Sequence, residues 1–251
     1  FRDNRFVRPS GSDPIQLKIR ELEWLRFAAE RGFKAIALSP LAPFGTCSAV
    51  GFVNQNNVVS ALRGTEVVSD ATNVMALEIA RVFEQTKDKQ AVVQYATTHR
   101  HVRGQYFTNP NYTAHFTVFC LASGGFDTGS WAFERSQLSQ HVSTLYHLLS
   151  TQFDKRDLSI VFYLKEGATQ LRNLLETDDQ AFWHNKNIQF KDDFDNKYYK
   201  NIQFKIFLNL NGQAIDLADG GDVDWTQKLM NNRKHRLFIS GVGLELVEKL
   251  R

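Results

Sequence analysis

The sequence is poor in cysteine and lacks any long apolar run. Cys47 and Cys120 are its two cysteines, and no Cys-x-x-Cys pair occurs, which excludes a disulfide framework and a cysteine zinc site. We expect two buried free thiols in a reducing compartment. No eighteen consecutive apolar residues occur, so a transmembrane helix is excluded. The residues after Phe1 do not form the charged segment followed by an apolar one that is typical of a secretory signal. We therefore expect a cytoplasmic protein without a membrane partner.

A strong charge of either sign is also absent. The net charge is +3 over 251 residues, and the basic residues occur as scattered groups such as Arg233-Lys234 with Arg236. A dedicated nucleic-acid-binding domain usually carries a dense basic stripe, so tRNA is not expected as a partner. Hydrophobic residues make up 43% of the chain, which is ordinary for a globular protein with a substantial core.

Apolar spacing predicts helices and strands in irregular alternation. Helices are expected at about 12–32, 70–85, 130–149, a short segment through 174–175, and 243–250. Strands are expected at 33–41, 91–100, 114–122, 158–164, 202–210, 214–217 and 236–240. The first helix has an apolar stripe formed by Ile15, Ile19, Leu22, Leu25 and Ala29. These patterns predict an α+β fold, with an antiparallel or mixed sheet flanked by helices.

Two further features concern the organisation of the chain. Residues 1–11 are polar and rich in arginine, so we expect a flexible N-terminal arm there and a single domain over 12–251. The hexapeptide Lys-Asn-Ile-Gln-Phe-Lys occurs at 186–191 and again at 200–205, which indicates chance or a local duplication and not a repeat architecture.

Several short motifs follow one another in a defined order. They are Gly32-Phe33 with Pro40, Ser69-Asp70-Ala71-Thr72, His99-Arg100-His101 with Ala114-His115-Phe116, Tyr198-Tyr199, Gly220-Gly221, and Gly241-Val242-Gly243-Leu244-Glu245. In this order they resemble the catalytic core of class II aminoacyl-tRNA synthetases, most closely histidyl-tRNA synthetase-like proteins. The resemblance covers about 12–251 and implies a class II synthetase-like antiparallel sheet flanked by helices, and a homodimer. In histidyl-tRNA synthetases an anticodon-binding domain follows this core, and we expect no such domain within 12–251.

The resemblance implies an amino-acid-binding site. In histidyl-tRNA synthetases an acid-x-Thr triplet binds the α-ammonium group, and Asp70 and Thr72 occupy the matching positions. Asp and Thr are also common helix caps, so simple capping is the alternative. Tyr198 and Tyr199 match the family's histidine-recognition segment, where their rings can pack against a planar ligand. The alternative is that both tyrosines are half-buried strand residues.

A nucleotide site is implied by the second and third motifs, if it is retained, with ATP and Mg²⁺ as its ligands. Arg100 matches the arginine that clamps the α-phosphate, and Phe116 matches the ring that stacks on adenine. The third motif adds Gly241, Gly243 and Glu245. Side chains alternate along a strand, which places Arg103 on the face opposite Arg100.

Three cationic positions of the family are missing from this chain. They are occupied by Ala114, Asp222 and Leu246. Losing one preorganised charge contact costs about 10²–10³ in rate. We therefore expect a degenerate histidyl-tRNA synthetase-like protein without tRNA-charging activity, one that is a small-ligand-binding or regulatory/accessory homodimer. The family has a precedent in the regulatory subunit of ATP phosphoribosyltransferase.

Two alternatives from other classes stay open, and no catalytic residue is assigned. One is an ATP-dependent amino-acid-activating ligase with a remodelled site that uses Arg100, Arg103 and Lys197 as cations. The other is a nucleic-acid accessory subunit. His99 and His101 share a strand face, but no carboxylate or cysteine completes a metal site nearby in the sequence, so no metal is expected.

Overall fold

The computed structural model describes residues 4–51, 53–86, 88, 91–106, 113–178, 181–192, 194 and 197–251. The helices are α1 (Pro14–Glu30), α2 (Thr46–Gly51), α3 (Ala71–Gln85), α4 (Ala132–Ser150), α5 (Thr169–Glu176), α6 (Trp225–Leu229) and α7 (Leu244–Leu250), with a 3₁₀ turn at Gln55–Asn57. The strands are β1 (Lys34–Ala35), β2 (Leu41–Pro43), β3 (Thr65–Val67), β4 (Val93–Val102), β5 (His115–Phe126), β6 (Leu158–Leu164), β7 (Ile188–Lys191), β8 (Ile202–Leu210), β9 (Gln213–Val223) and β10 (His235–Gly243).

Within these described residues, eight strands form one sheet in the order β1-β4-β5-β10-β9-β8-β6-β7. β6 pairs antiparallel with β8, β8 with β9, and β9 with β10, whereas β1 runs parallel to β4 and β7 runs parallel to β6. β2 and β3 form a separate two-stranded antiparallel sheet. The expected mostly antiparallel sheet flanked by helices is confirmed.

The chain forms two compact units. Unit 1 comprises Phe1–Met75, Tyr95–Cys120 and Gly243–Arg251, and unit 2 comprises Ala76–Gln94 and Leu121–Val242. The motif residues from Asp70 to Phe116 belong to unit 1 together with Gly243 and Glu245, whereas the tyrosine pair and the double glycine belong to unit 2. The expectation of a single domain over 12–251 stays a prediction.

The first helix begins and ends where local chemistry requires. The Asp13 carboxylate accepts hydrogen bonds from the N–H groups of residues 15 and 16, and Pro14 occupies the first turn. Gly32 follows the helix with φ of 93°, a conformation that glycine adopts without a Cβ penalty. The predicted helix is confirmed, but its buried face is Leu17, Arg20, Glu21, Trp24 and Ala28.

The apolar stripe of α1 is therefore not its buried face. Ile15, Ile19 and Leu22 are 68%, 45% and 50% exposed. Buried polar residues took the inward positions because they have partners within unit 1. Arg20, which is 4% exposed, forms an ion pair with Glu248 of α7. The Glu21 carboxylate accepts hydrogen bonds from Lys18 and from the Thr98 hydroxyl.

The strand predicted over 33–41 is also wrong. β1 spans two residues, and the chain leaves the large sheet before β2 begins. The last backbone–backbone hydrogen bond to β4 is donated by the Ile36 N–H to the Ala96 carbonyl oxygen at 2.9 Å, and β2 begins directly after Pro40. The short elements α2, β3, β7 and α6 were not predicted, because they span three to six residues and show no clear periodicity. The other helix bounds agree closely with expectation, but three strands extend beyond theirs: β5 continues to Phe126, β9 continues to Val223, and β10 continues to Gly243.

Both copies of the repeated hexapeptide contribute strands beside β6. β7 contains the last four residues of the first copy and pairs parallel, and β8 contains the last four residues of the second and pairs antiparallel. In this register Phe162 of β6 lies between Phe190 and Phe204, with the Phe162 and Phe190 ring centroids 5.2 Å apart. The repeat therefore places a phenylalanine at the matching register position on each side of one strand in unit 2.

Two expectations about the chain as a whole have structural counterparts. Cys47 and Cys120 are both buried and form no disulfide with each other, as expected. Of the helices formed by the described residues, none has the length and apolar character needed to cross a bilayer.

Candidate functional site

The end of β4 and the start of β5 form a hairpin base with two chemically different faces. On one face Arg100 donates to His115 Nδ1 at 2.9 Å and to the Thr117 hydroxyl at 3.2 Å. On the other face the Phe116 ring lies against His101 and Arg103. Because side chains alternate along a strand, Arg100 and Phe116 are directed to opposite sides.

The Arg100 side of the hairpin is held by α7. Arg100 forms an ion pair with Glu245 at 3.2 Å, and the second carboxylate oxygen of Glu245 accepts the N–H of Thr117 at 2.6 Å. Glu245 is 5% exposed and lies in the first turn of α7, where the helix dipole favours a negative charge. The Glu245 carboxylate thus joins the first turn of α7 to the hairpin.

Arg100 and Phe116, both predicted as nucleotide contacts, thus lie on different faces of the hairpin, and nucleotide binding by Arg100, Phe116 and Glu245 stays a prediction. The arginine beside Phe116 is Arg103, whose guanidinium carbon lies 5.1 Å from the ring centroid. The placement of Arg103 opposite Arg100 is confirmed. The sequence could not show that Phe116 shares the face of Arg103, because that depends on the register between β4 and β5.

We call the side of the hairpin that carries Phe116, together with the adjoining start of α3, the Phe116 face; it comprises Asp70, Thr72, His101, Arg103 and Phe116. His101 Nε2 accepts the N–H of Ala71 at 2.9 Å. Arg103 Nε donates to the carbonyl oxygen of Ser69 at 3.4 Å. These two bonds bring two of the predicted amino-acid-binding residues, Asp70 and Thr72, and the predicted adenine-stacking ring into one region of unit 1.

His101 is the member of this face that sequence reasoning missed as a site residue. Complete burial lowers the pKa of His101 to about 3, so the ring is neutral at physiological pH. A neutral ring whose Nε2 accepts a hydrogen bond must carry its proton on Nδ1. The Nδ1 atom is buried and has no hydrogen-bond partner in the structure. His101 is therefore a fixed, uncharged donor at the start of α3.

Asp70 and Thr72 adopt a capping arrangement at the start of α3. Asp70 Oδ1 accepts hydrogen bonds from the Thr72 N–H at 2.9 Å and from the Thr72 hydroxyl at 2.7 Å. Asp70 is half-buried, whereas Thr72 is buried. The cap also fixes a carboxylate beside His101 and Arg103. Binding of an α-ammonium group by this pair stays a prediction.

The histidines of the hairpin are each engaged in hydrogen bonding. His99 Nε2 lies 3.2 Å from the Ser39 carbonyl oxygen. His115 Nδ1 accepts from Arg100, so its Nε2 carries the proton and donates to the Arg8 carbonyl oxygen at 2.7 Å. Across the described part of the chain, no three His, Cys, Asp or Glu side chains are grouped as a metal site.

The predicted tyrosine pair lies in unit 2. Tyr199 is buried, and its hydroxyl donates to Asp219 at 3.0 Å. The Tyr198 ring is half-buried and packs edge-on against Trp225, with centroids 5.2 Å apart. Residues 195 and 196 of the same predicted segment lie outside the described residues. Amino-acid binding by Tyr198 and Tyr199 stays a prediction.

Packing and hydrogen bonding within unit 2 explain why the double glycine and Asp222 occupy their positions. A Cβ on Gly221 would lie 2.2 Å from the Ile202 carbonyl oxygen and 2.6 Å from the Tyr199 ring, so neighbouring protein groups fill that space. The Asp222 carboxylate is buried and accepts the N–H groups of Asn201 and Ile202, each at 2.9 Å. Burial raises the pKa of Asp222, and these hydrogen bonds oppose that rise. The aspartate that stands here in place of the family's cationic residue thus accepts hydrogen bonds from the backbone of Asn201 and Ile202.

The glycines of the third motif fall in different units. Gly241 of unit 2 lies opposite Asp219 in the β9–β10 ladder. Gly243 of unit 1 precedes α7, and a Cβ there would meet its nearest atom, Leu246 Cβ, at 3.8 Å. Nucleotide binding by Gly241 and Gly243 stays a prediction.

No protein-family model matches this sequence, and the search of curated proteins gives no significant match. Solved structures do match. An ATP phosphoribosyltransferase regulatory subunit/histidyl-tRNA synthetase from Bacillus halodurans matches with a TM-score of 0.72 at 12% identity, over 97% of this chain and 82% of the other. The chain has a class II synthetase-like fold.

Two further solved structures share this class II synthetase-like fold. Histidyl-tRNA synthetase from S. aureus matches with a TM-score of 0.68 at 12% identity, over 96% of this chain and 68% of that one. Pyrrolysyl-tRNA synthetase from Desulfitobacterium hafniense matches with a TM-score of 0.62 at 11% identity, over 94% and 69% of the two chains. At these identities the matches establish the fold, including its likeness to histidyl-tRNA synthetase-like proteins.

Proposed function

We propose that this chain is a histidyl-tRNA synthetase-like protein without tRNA-charging activity. It binds a small amino-acid-like ligand at the Phe116 face and acts as a regulatory or accessory homodimer. Support for the regulatory role comes from a neighbour of the same fold whose name includes an ATP phosphoribosyltransferase regulatory subunit.

The observation that carries this proposal is the placement of Arg100, together with three cationic positions of the family that this sequence lacks. Arg100 is directed away from Phe116 and is engaged by Glu245 and His115. Positions 114, 222 and 246 carry alanine, aspartate and leucine. Stabilising a triphosphate during adenylation requires several cations, so these residues support ligand binding better than activation.

The Phe116 face supplies complementary groups for a zwitterion. The Asp70 carboxylate is suited to an ammonium group, and the Arg103 guanidinium is suited to bidentate binding of a carboxylate. The half-buried Phe116 ring offers a flat apolar surface between hairpin and helix. An amino acid or a close relative combines these three features.

The proposal is tested by thermal shift and calorimetry with the twenty amino acids and with ATP, each with and without Mg²⁺. A ligand present at 100 times its Kd should raise the free energy of unfolding by about 2.7 kcal/mol. Arg103→Ala should abolish that shift, whereas Arg100→Ala, on the opposite face of the same strand, should leave affinity unchanged. Failure of every compound to bind, or equal losses in the two variants, would refute the site.

A second candidate function is an ATP-dependent amino-acid-activating ligase. The specific observation in its favour is the guanidinium of Arg103 over Phe116, since an arginine and an aromatic ring together suit a planar purine. This function requires ATP with Mg²⁺. Amino-acid-dependent pyrophosphate exchange decides between the two candidates, because robust exchange is expected only from the ligase.

The regulatory role also requires a protein partner. Size-exclusion chromatography of this protein mixed with an ATP phosphoribosyltransferase catalytic chain from the same organism should give a co-eluting complex. Separate elution at micromolar concentrations would remove the support that the fold neighbour gives to that partner.

A further inference from the structure

The first described residues form a turn that lies on the hairpin. The Val7 N–H donates to the Asn4 carbonyl oxygen at 3.0 Å, and the Phe6 N–H donates to Asn4 Oδ1 at 2.9 Å. Phe6 and Val7 are exposed, whereas Arg5 is half-buried. The turn therefore directs its arginine side chain inward.

Arg5 binds the backbone immediately after Arg103. Its Nη1 donates to the Gln105 carbonyl oxygen at 2.7 Å, and its Nη2 donates to the Gly104 carbonyl oxygen. The guanidinium also lies 4.9 Å from the Phe6 ring centroid and 6.0 Å from that of Tyr106. A planar fork with parallel donors can hold two consecutive carbonyl groups in this way, and a lysine cannot.

Gly104 is held from its other side as well. Its N–H donates to the Asn57 carbonyl oxygen at 2.8 Å. A Cβ at this position would lie 3.2 Å from that same oxygen, so a close backbone approach is part of the contact. Gly104, the residue that follows Arg103, is thus held through its N–H by the 3₁₀ turn and through its carbonyl oxygen by Arg5.

The same N-terminal turn reaches the start of β5. His115 donates its Nε2 proton to the Arg8 carbonyl oxygen at 2.7 Å, and Arg100 fixes this tautomer by donating to Nδ1. His115 directly precedes Phe116. Residues 5 to 8 therefore connect the backbone beside Arg103 with the backbone beside Phe116.

We propose that residues 4–8, which we call the strap, are part of the candidate site, and that Arg5 is a positioning residue for Arg103. The strap joins the two ends of the β4–β5 connection and so keeps Arg103 over Phe116. The consequence for ligand affinity rests on the proposed function, whereas the effect on the hairpin backbone does not.

The strap is tested first by amide hydrogen exchange on the full chain. In Arg5→Ala the Gly104 amide should exchange about tenfold faster, because a net hydrogen-bond contribution of about 1.4 kcal/mol corresponds to tenfold. Arg5→Lys should give an intermediate rate. Arg26→Ala removes the same charge from an exposed position of α1 and should leave the Gly104 rate unchanged.

Ligand affinity provides the second measurement. With the amino acid found in the screen, Arg5→Ala should weaken binding several-fold while the urea midpoint stays close to that of the parent. Unchanged Gly104 exchange in Arg5→Ala would overturn the strap. Faster exchange with unchanged affinity would overturn the positioning role. Absence of any ligand for the parent chain would defeat the proposed function, and the exchange result would still decide whether the strap exists.

Discussion

At the scale of single residues, two arginines three positions apart have different roles. Arg100 is 42% exposed at its side chain and forms an ion pair with Glu245, whereas Arg103 lies over an aromatic ring. Both carry the same charge, so the difference comes from the strand face to which each is directed. A motif match therefore does not establish the role of an arginine unless the register between β4 and β5 is also known.

Glu245 is expected to matter for stability more than for binding. Glu245→Ala removes the acceptor for the buried Thr117 N–H, and the free energy of unfolding should fall by about 1–3 kcal/mol. The lost attraction to Arg100 adds little, because that side chain is well exposed to solvent. Glu245→Gln keeps an acceptor oxygen and should cost less. Urea unfolding measures both changes, and an unaltered midpoint in Glu245→Ala would contradict the assignment.

Two buried histidines should make the protein sensitive to acid. Burial lowers the pKa of His101 and of His141 to about 3, and His141 lies between the hydroxyls of Ser123 and Ser240 at 2.8 Å each. In the unfolded chain a histidine has a pKa near 6.5, so below about pH 6 protons bind the unfolded state preferentially. The free energy of unfolding should then fall as pH decreases from 6 toward 3, by about 1 kcal/mol per pH unit for each histidine.

Urea unfolding at several pH values measures this dependence. His141→Gln should flatten the acid slope, and the same substitution at the exposed His147 serves as the control. An acid slope identical in the parent and in His141→Gln would contradict the assignment of His141.

At the scale of elements, the packing of neighbouring strands sets which glycines are essential. Gly221→Ala should lower the free energy of unfolding by about 2–3 kcal/mol, because the new methyl group meets a backbone carbonyl and the Tyr199 ring. Gly243→Ala is the matched control, since its nearest neighbour is 3.8 Å away and φ is −74°. Equal melting temperatures for the two variants would show that the β8–β9 backbone can separate at no cost.

The elements best predicted were those with the strongest local signals. α1 has an Asp-Pro start and a glycine stop, and α3 and α4 are long and periodic. One strand was predicted over 33–41, where the structure has the two-residue β1 and only the first residue of β2, because alternation of apolar residues does not show where a strand leaves a sheet. Which strand pairs with which sheet depends on distant partners, and local sequence does not contain that information.

At the scale of the whole molecule, the proposed homodimer gives the exposed residues of α1 a role. Ile15, Ile19 and Leu22 recur at helical spacing on one side of the helix and are at least 45% exposed. Light scattering coupled to size-exclusion chromatography should give a mass near twice 28.8 kDa. Ile19→Glu should shift the mass toward one chain, and the exposed Glu23→Ala should not. A mass of one chain for the parent protein at micromolar concentration would contradict the proposed homodimer.

Much of the candidate site could be reached from the sequence. Asp70, Thr72 and Phe116 were predicted, and the structure brings them together in unit 1. Arg100 and Glu245 were also predicted as site residues, but their side chains bind each other on the opposite side of the hairpin. His101 was missed as a donor because its tautomer is set by the Ala71 N–H, which is thirty residues away in the chain.

The sequence by itself determined the fold class, the long helices and the absence of a dense cationic stripe, because periodicity, capping and composition are local properties. Only the tertiary structure decided which arginine contacts Phe116 and which nitrogen of His101 carries the proton. It also decided that Arg5 donates hydrogen bonds to the backbone after Arg103. Each of these depends on register and on contacts between distant segments, and hydrogen bonds of this kind form only once the chain has packed.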